Sequence, residues 1–163
     1  MTVRIFMWTP RHMVGRWIWS GLGFILRKST KSRLHTIFLG AVSDENEKLY
    51  TAIQTAGYVL VFREHHQSMI EKKKGNVDTD IVFAVMKAIA DREKFDQVIL
   101  VSGDGDYFKM VKYLMLKNRF KKLLYPNRKS MSSLYRSLMN NSLYAFLDDA
   151  GIKKKIKRVK SRK

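Results

Sequence analysis

Four aspartates in two pairs carry the clearest chemical signal in the chain: Asp78 and Asp80 in N-V-D-T-D, and Asp104 and Asp106 in S-G-D-G-D. The second pair follows directly on the apolar run Q-V-I-L-V. Two carboxylates one glycine apart repel each other unless one holds a proton or a positive charge sits between them. A hard divalent cation such as Mg2+, bound through oxygen ligands, removes that conflict. A competing reading needs no metal: Asp106 would cap the helix starting at Tyr107, and Asp104 would stabilise a turn. The other pair shifts the balance toward a shared site, because the helix that Asp78 and Asp80 open runs straight into the strand preceding Asp104. Helix positions two apart point to roughly opposite sides, so at most one of the two can face Asp104. Asp78, one turn before Ile81 and Val82, is expected to face inward, while Asp80 complements the positive end of the helix.

Both pairs depend on elements that bring them to one rim. Short apolar runs at Val3–Trp8, His35–Leu39, Tyr58–Arg63, Gln97–Ser102 and Lys122–Tyr125 read as strands, with a further short one at Tyr144–Leu147. Longer amphipathic stretches separate them, the pattern of a parallel sheet flanked by helices. In S-D-E-N-E-K-L-Y-T-A-I-Q-T-A-G, Ser43 is the expected N-cap. Asp44, Glu45 and Glu47 suit the positive end, Leu49, Ile53 and Ala56 share a face, and Gly57 supplies the stop. Val77, Ile81, Ala84, Val85 and Ile89 mark the inward stripe of a second helix. Met110, Val111, Leu114 and Met115 do so for a third over Tyr107–Lys117, where core packing is a better reading than an adaptable Met-rich groove. The S-S-L-Y-R-S-L-M stretch reads as another helix, capped by Ser132 or Ser133. Strand followed by G-D-G-D puts Asp104 and Asp106 at the carboxyl end of a strand, where open α/β sheets keep their sites. Glycine at 103 and 105 is expected to let the loop turn sharply and expose the carboxylates.

The surroundings of these acids are strongly basic. Lys and Arg outnumber Asp and Glu by 32 to 14, giving a formal net charge of +18. A polyanion is the expected partner, nucleic acid ahead of an anionic membrane surface, although part of such an excess serves only solubility. Residues 151–163 form a basic tail with eight Lys or Arg, read both as a solvated terminus and as a source of sequence-blind attraction to phosphates. The absence of cysteine excludes disulfides and thiolate metal sites. No apolar run reaches the roughly 18 residues of a membrane span, and the chain is expected to be soluble and cytoplasmic. At 163 residues with 45% hydrophobic content, one domain over 1–150 is the simplest organisation.

The stretches K-G-N-V-D-T-D-I-V-F and V-I-L-V-S-G-D-G-D-Y-F resemble the NYN domain, a branch of the PIN-like nucleases. The likeness continues through K-L-L-Y-P-N-R, S-S-L-Y-R and Y-A-F-L-D-D, and upstream through F-L-G-A-V-S-D-E-N-E-K-L-Y, covering about residues 36–150. It implies a three-layer α/β/α fold with a mainly parallel sheet of about five strands. It also implies hydrolysis of RNA phosphodiesters with Mg2+ or Mn2+ held by clustered aspartates. Carried over position by position, the metal ligands are Asp78, Asp104 and Asp106, with Ser102 the small hydroxyl residue beside them that can hydrogen-bond a carboxylate or a bound water. Lys72, Lys73, Lys74 and Lys109 lie near enough in sequence to grip phosphates of a single-stranded RNA. Such contacts carry little base information unless Tyr107 or Phe108 adds stacking, and Phe108 suits the core better.

The pattern breaks at the start. The family places another aspartate just after its first strand, in an I-D-x-x-N type motif, where this chain has V-R-I-F-M-W-T-P-R-H-M. Residues 1–43 contain no Asp or Glu, seven Arg or Lys, and all three tryptophans. This composition is expected to fit a first strand and helix poorly, and the likeness resumes near Ile37, leaving residues 1–35 atypical. Three explanations compete: a replacement that weakened or abolished the nuclease, an altered reading frame, which is favoured, and a substitute carboxylate such as Asp44. The first reading is therefore a metal-dependent endoribonuclease, impaired if the missing ligand matters. The alternative is a non-catalytic RNA-binding or regulatory module with a degenerate site. Another D-x-D phosphotransfer or Toprim-like enzyme is a weaker rival, since it too requires an early-strand carboxylate. A homodimer sharing one groove is compatible with an incomplete site, though no residue argues for it.

Overall fold

The computed structural model describes residues 3–8, 34–39, 46–63, 77–138, 140, 142–152 and 154. Six strands, β1 (Val3–Trp8), β2 (Leu34–Leu39), β3 (Val59–Phe62), β4 (Gln97–Val101), β5 (Phe120–Tyr125) and β6 (Tyr144–Phe146), form one sheet in the order β3-β2-β1-β4-β5-β6. All of its pairings are parallel. The expected short sixth strand is thus part of the sheet, pairing Leu123 with Tyr144 and Tyr125 with Phe146. Among the described residues the helices that flank the sheet are α1 (Glu47–Thr55), α2 (Val77–Ala90) and α3 (Phe108–Leu116).

Strand residues alternate between two apolar clusters, one on each face of the sheet. Val98, Leu100, Leu123 and Tyr125 pack with Val77, Ile81 and Val85 of α2 and with Met110, Val111 and Leu114 of α3. Ile37, Ile99, Val101 and Leu124 pack with Ile53 of α1 and the adjoining Ala56. Covering both faces explains why the strands read as unbroken apolar runs rather than alternating ones. Each fully buried aliphatic side chain here contributes about 1.5–3 kcal/mol. Gly57 ends α1 with φ 87, the left-handed conformation that glycine adopts without strain. Ser43, Asp44 and Glu45 lie outside the described residues.

Two expectations need correction. The apolar run Val3–Trp8 forms the strand read from it, whereas the expectation that the composition of the opening residues suits a first strand poorly does not hold: β1 sits at the centre of the sheet, in register with β4 from Val3↔Gln97 to Met7↔Val101. Acid content does not enter strand formation; an apolar, partly β-branched run between two partner strands is enough. The S-S-L-Y-R-S-L-M stretch is a short 3-10 turn over Ser133–Ser137, not an α-helix, with the Ser132 hydroxyl accepting from Leu134 N–H. It is anchored at Ser132, whose N–H donates to Gly103 O, and at Tyr135, whose hydroxyl donates to Asp104 O. Anchors three residues apart suit a helix with three residues per turn.

The strand order reverses between β1 and β4, since successive strands step one way from β1 to β3 and the other way from β4 to β6. A crevice is expected beyond the carboxyl ends of the strands at such a reversal. Both α2 and the turn after β4 begin at that end.

Candidate metal centre

Residues 102–107 leave β4 and turn through a 3-10 segment, Gly105–Tyr107, into α3. Asp104 caps that turn: its Oδ1 accepts from Asp106 N–H at 3.0 Å. The structural duty foreseen for Asp104 is therefore real, but one accepted hydrogen bond leaves lone-pair sites on a carboxylate. Asp106 does not cap α3, whose N-cap is Tyr107 with no side-chain cap bond. Ser102 is 2% exposed, and its Oγ accepts from Asp104 N–H at 3.1 Å, a contact with the main chain of the acidic loop.

The glycines have a more specific reason than loop freedom. A Cβ on Gly103 would stand 1.9 Å from Ser130 O, and one on Gly105 would stand 2.7 Å from Ser132 Oγ and 3.0 Å from Leu134 Cδ1. The segment 130–134 presses directly on the acidic loop, held there by an Asn127–Ser130 capping box. Leu134, half exposed, is thereby an apolar neighbour of the site that the sequence did not single out.

Ligand atoms from Asp78, Asp104 and Asp106 all lie within 4.8 Å of one another. Asp78 is half-buried at the start of α2, whereas Asp104 and Asp106 are exposed. Burial raises the Asp78 carboxyl above its ordinary value, the hydrogen bond from Tyr107 opposes this, and the charges of Asp104 and Asp106 raise it further. Those carboxylates crowd one spot and repel. Three hard oxygen donors under mutual repulsion fit a divalent cation of the Mg2+ or Mn2+ type, which relieves the conflict and matches the donor chemistry.

Asp80 points elsewhere, its Oδ2 lying 4.0 Å from Arg63 Nε at the end of β3. Lys109 is exposed in the first turn of α3. Lys72, Lys73 and Lys74 lie outside the described residues. Phe108 packs partly against the core, as expected. Tyr107 does not offer a stacking face: it is 0% exposed, and its hydroxyl donates to Asp78 Oδ1. Burial and the neighbouring Asp78 hold that hydroxyl far above its ordinary range, so it stays a donor. Tyr135, also 0% exposed, donates to Asp104 O at 2.8 Å. Neither hydroxyl contact is legible from the residues beyond the presence of Tyr within the quoted motifs.

The NYN domain family model matches residues 24–143. The match begins upstream of Ile37, so the likeness reaches further into the acid-free opening than the motifs indicated. No curated protein matches the chain. Among solved structures, a protein of unknown function from Vibrio parahaemolyticus superposes with a TM-score of 0.70 at 16% identity, covering 91% of this chain and 93% of that one. That likeness shows a shared fold. Leucoanthocyanidin reductase from Vitis vinifera, in complex with NADPH, gives 0.44 at 15% identity over 97% of this chain and 44% of its own. UDP-GlcNAc 2-epimerase from Neisseria meningitidis gives 0.43 at 12% identity, over 98% and 54% respectively.

Proposed function

The chain belongs to the NYN domain family of PIN-like nucleases, and from that premise we propose that it is an Mg2+- or Mn2+-dependent ribonuclease cutting single-stranded RNA. The single observation that carries this reading is the convergence of Asp78, Asp104 and Asp106 within 4.8 Å beyond the carboxyl ends of the strands. In this reading the three carboxylates hold the cation and Ser102 fixes the loop that presents two of them. When bound, the cation supplies acidification of an attacking water and offsets charge developing on the phosphate. Lys109, with Lys72, Lys73 and Lys74, holds substrate phosphates, and the +18 formal charge draws the polyanion in. Phosphate contacts dominate, so base selectivity is low.

A second reading rests on one specific observation. The first strand lies beside β4 at the strand-order reversal, yet residues 1–43 offer no carboxylate to that rim. A chain lacking one acidic ligand would bind RNA without cutting it. The deciding experiment compares wild type with Asp104→Asn on a labelled single-stranded RNA, with Mn2+ or EDTA. The enzyme reading expects Mn2+-dependent cleavage that falls at least about 100-fold in the variant, while RNA binding persists. Salt-sensitive binding with no Mn2+-dependent cleavage by wild type supports the binding module and removes the enzyme.

A further inference from the structure

Resting on the metal-centre reading above, we propose that Tyr107 is a positioning residue for the cation. Through its buried hydroxyl it fixes the Asp78 carboxylate where α2 meets the acidic loop. The three carboxylates come from two separate stretches of backbone, the start of α2 and the turn after β4. Tyr107 stands next to Asp106 in the 3-10 turn, yet its hydroxyl donates to Asp78, 29 residues earlier. The bond joins the two stretches directly.

The rest of Tyr107 makes this link stiff. Its ring belongs to the cluster that includes Ile81, Val85 and Met110, so the hydroxyl cannot move without disturbing the core. A buried hydroxyl needs an acceptor, and Asp78 Oδ1 supplies it. A carboxylate offers four lone-pair sites, so accepting this bond leaves capacity for a cation. The acidic loop is held from the same core on its other side. There the Tyr135 hydroxyl donates to the Asp104 carbonyl, and the Tyr135 ring stands 5.9 Å from Phe108 and 6.2 Å from Tyr125. One apolar cluster thus sets both arms of the acidic group, and Tyr107 is its contact with the Asp78 arm. Phenylalanine at this position would pack the same way and remove this hydrogen bond from Asp78.

The test titrates the full chain with Mn2+ and reads free Mn2+ by electron paramagnetic resonance, with melting in EDTA measured alongside. Compared are wild type, Tyr107→Phe, Asp104→Asn and, as a control on the exposed side of α3, Tyr113→Phe. The expected result is Mn2+ binding weakened about 10–100-fold in Tyr107→Phe and unchanged in Tyr113→Phe. The metal-free melting point should stay within about 8 °C of wild type. Turnover by Tyr107→Phe at saturating Mn2+ should approach that of wild type, since the residue acts on metal occupancy. Asp78→Glu, which carries the charge one methylene past the hydroxyl, should show weakening of the same order. Wild-type Mn2+ affinity in Tyr107→Phe, while Asp104→Asn binds poorly, overturns the role of Tyr107 and leaves the metal centre standing. Equal binding by wild type and Asp104→Asn overturns both.

Discussion

On the flank of α2 that faces the turn after β4, Asp78 sits against two further carboxylates and under the hydroxyl of Tyr107. On the flank that faces β3, Asp80 sits 4.0 Å from the guanidinium of Arg63. The two residues share a helix turn, a side-chain type and a favourable position at the positive end of the helix. Their neighbours separate them: Asp80 stands beside a guanidinium, and Asp78 stands with two further carboxylates within 4.8 Å. Structural acids are ordinarily given partners of opposite charge, so crowding of like charges at a fold's natural crevice marks the flank adapted to a ligand.

Neutralising each aspartate in turn sharpens that contrast most strongly through metal affinity. Asp78→Asn should weaken Mn2+ binding at least about 100-fold, as loss of a ligand exceeds loss of its support, whereas Asp80→Asn should change it by less than about threefold. Calorimetric titration of the two variants measures this, and equal losses would erase the distinction. Next in size is stabilisation by the ion itself. At 100 times its dissociation constant, Mn2+ should stabilise wild type and Asp80→Asn by about 2.7 kcal/mol and Asp78→Asn by far less, read as a rise in melting temperature over EDTA.

The smallest effects are on the metal-free chain, and they have opposite signs. Because the folded-state Asp78 carboxyl is raised above 3.8, its contribution to stability is fully present below 3.8 and is lost as pH rises through the raised value. Metal-free Asp78→Asn should therefore melt above wild type at neutral pH, and the gap should close on acidification through that window. Asp80→Asn should instead cost about 0.2–1 kcal/mol, the range of a solvent-touched ion pair. Denaturant melts across pH in EDTA check both, and a neutral-pH loss in Asp78→Asn would contradict the burial, and with it the repulsion, that raise this carboxyl.

Much of this arrangement is legible in the residues. Strands announce themselves as apolar runs, the α2 stripe of Val77, Ile81 and Val85 is buried as its spacing requires, and Gly57 stops α1. Even the placing of Asp78 and Asp80 on different flanks of α2 follows from a helix of 3.6 residues per turn. What stayed hidden is tertiary. An aromatic at 107 reads equally as core or as a stacking surface, and only the fold brings its hydroxyl to a residue 29 positions earlier. Gly103 reads as a flexible loop residue, although the carbonyl of Ser130 is what leaves no space for a side chain. Only the acid-free composition of the opening residues misled, because the absence of acids bears on chemistry and not on whether Val3–Trp8, legible as a strand from its apolar run, can pair with its neighbours.

The register between β1 and β4 sets Val3 opposite Gln97, and this has a consequence for how the protein is made. β1 must wait for β4, which is synthesised far later in the chain, so the closure is long-range and slow. During translation the acids of α2 and of the turn after β4 remain apart on an unfinished sheet until β4 has docked. Ribosome-bound chains truncated before Gln97 should accordingly show no Mn2+ uptake, and released full-length chains should gain it on the timescale of sheet completion.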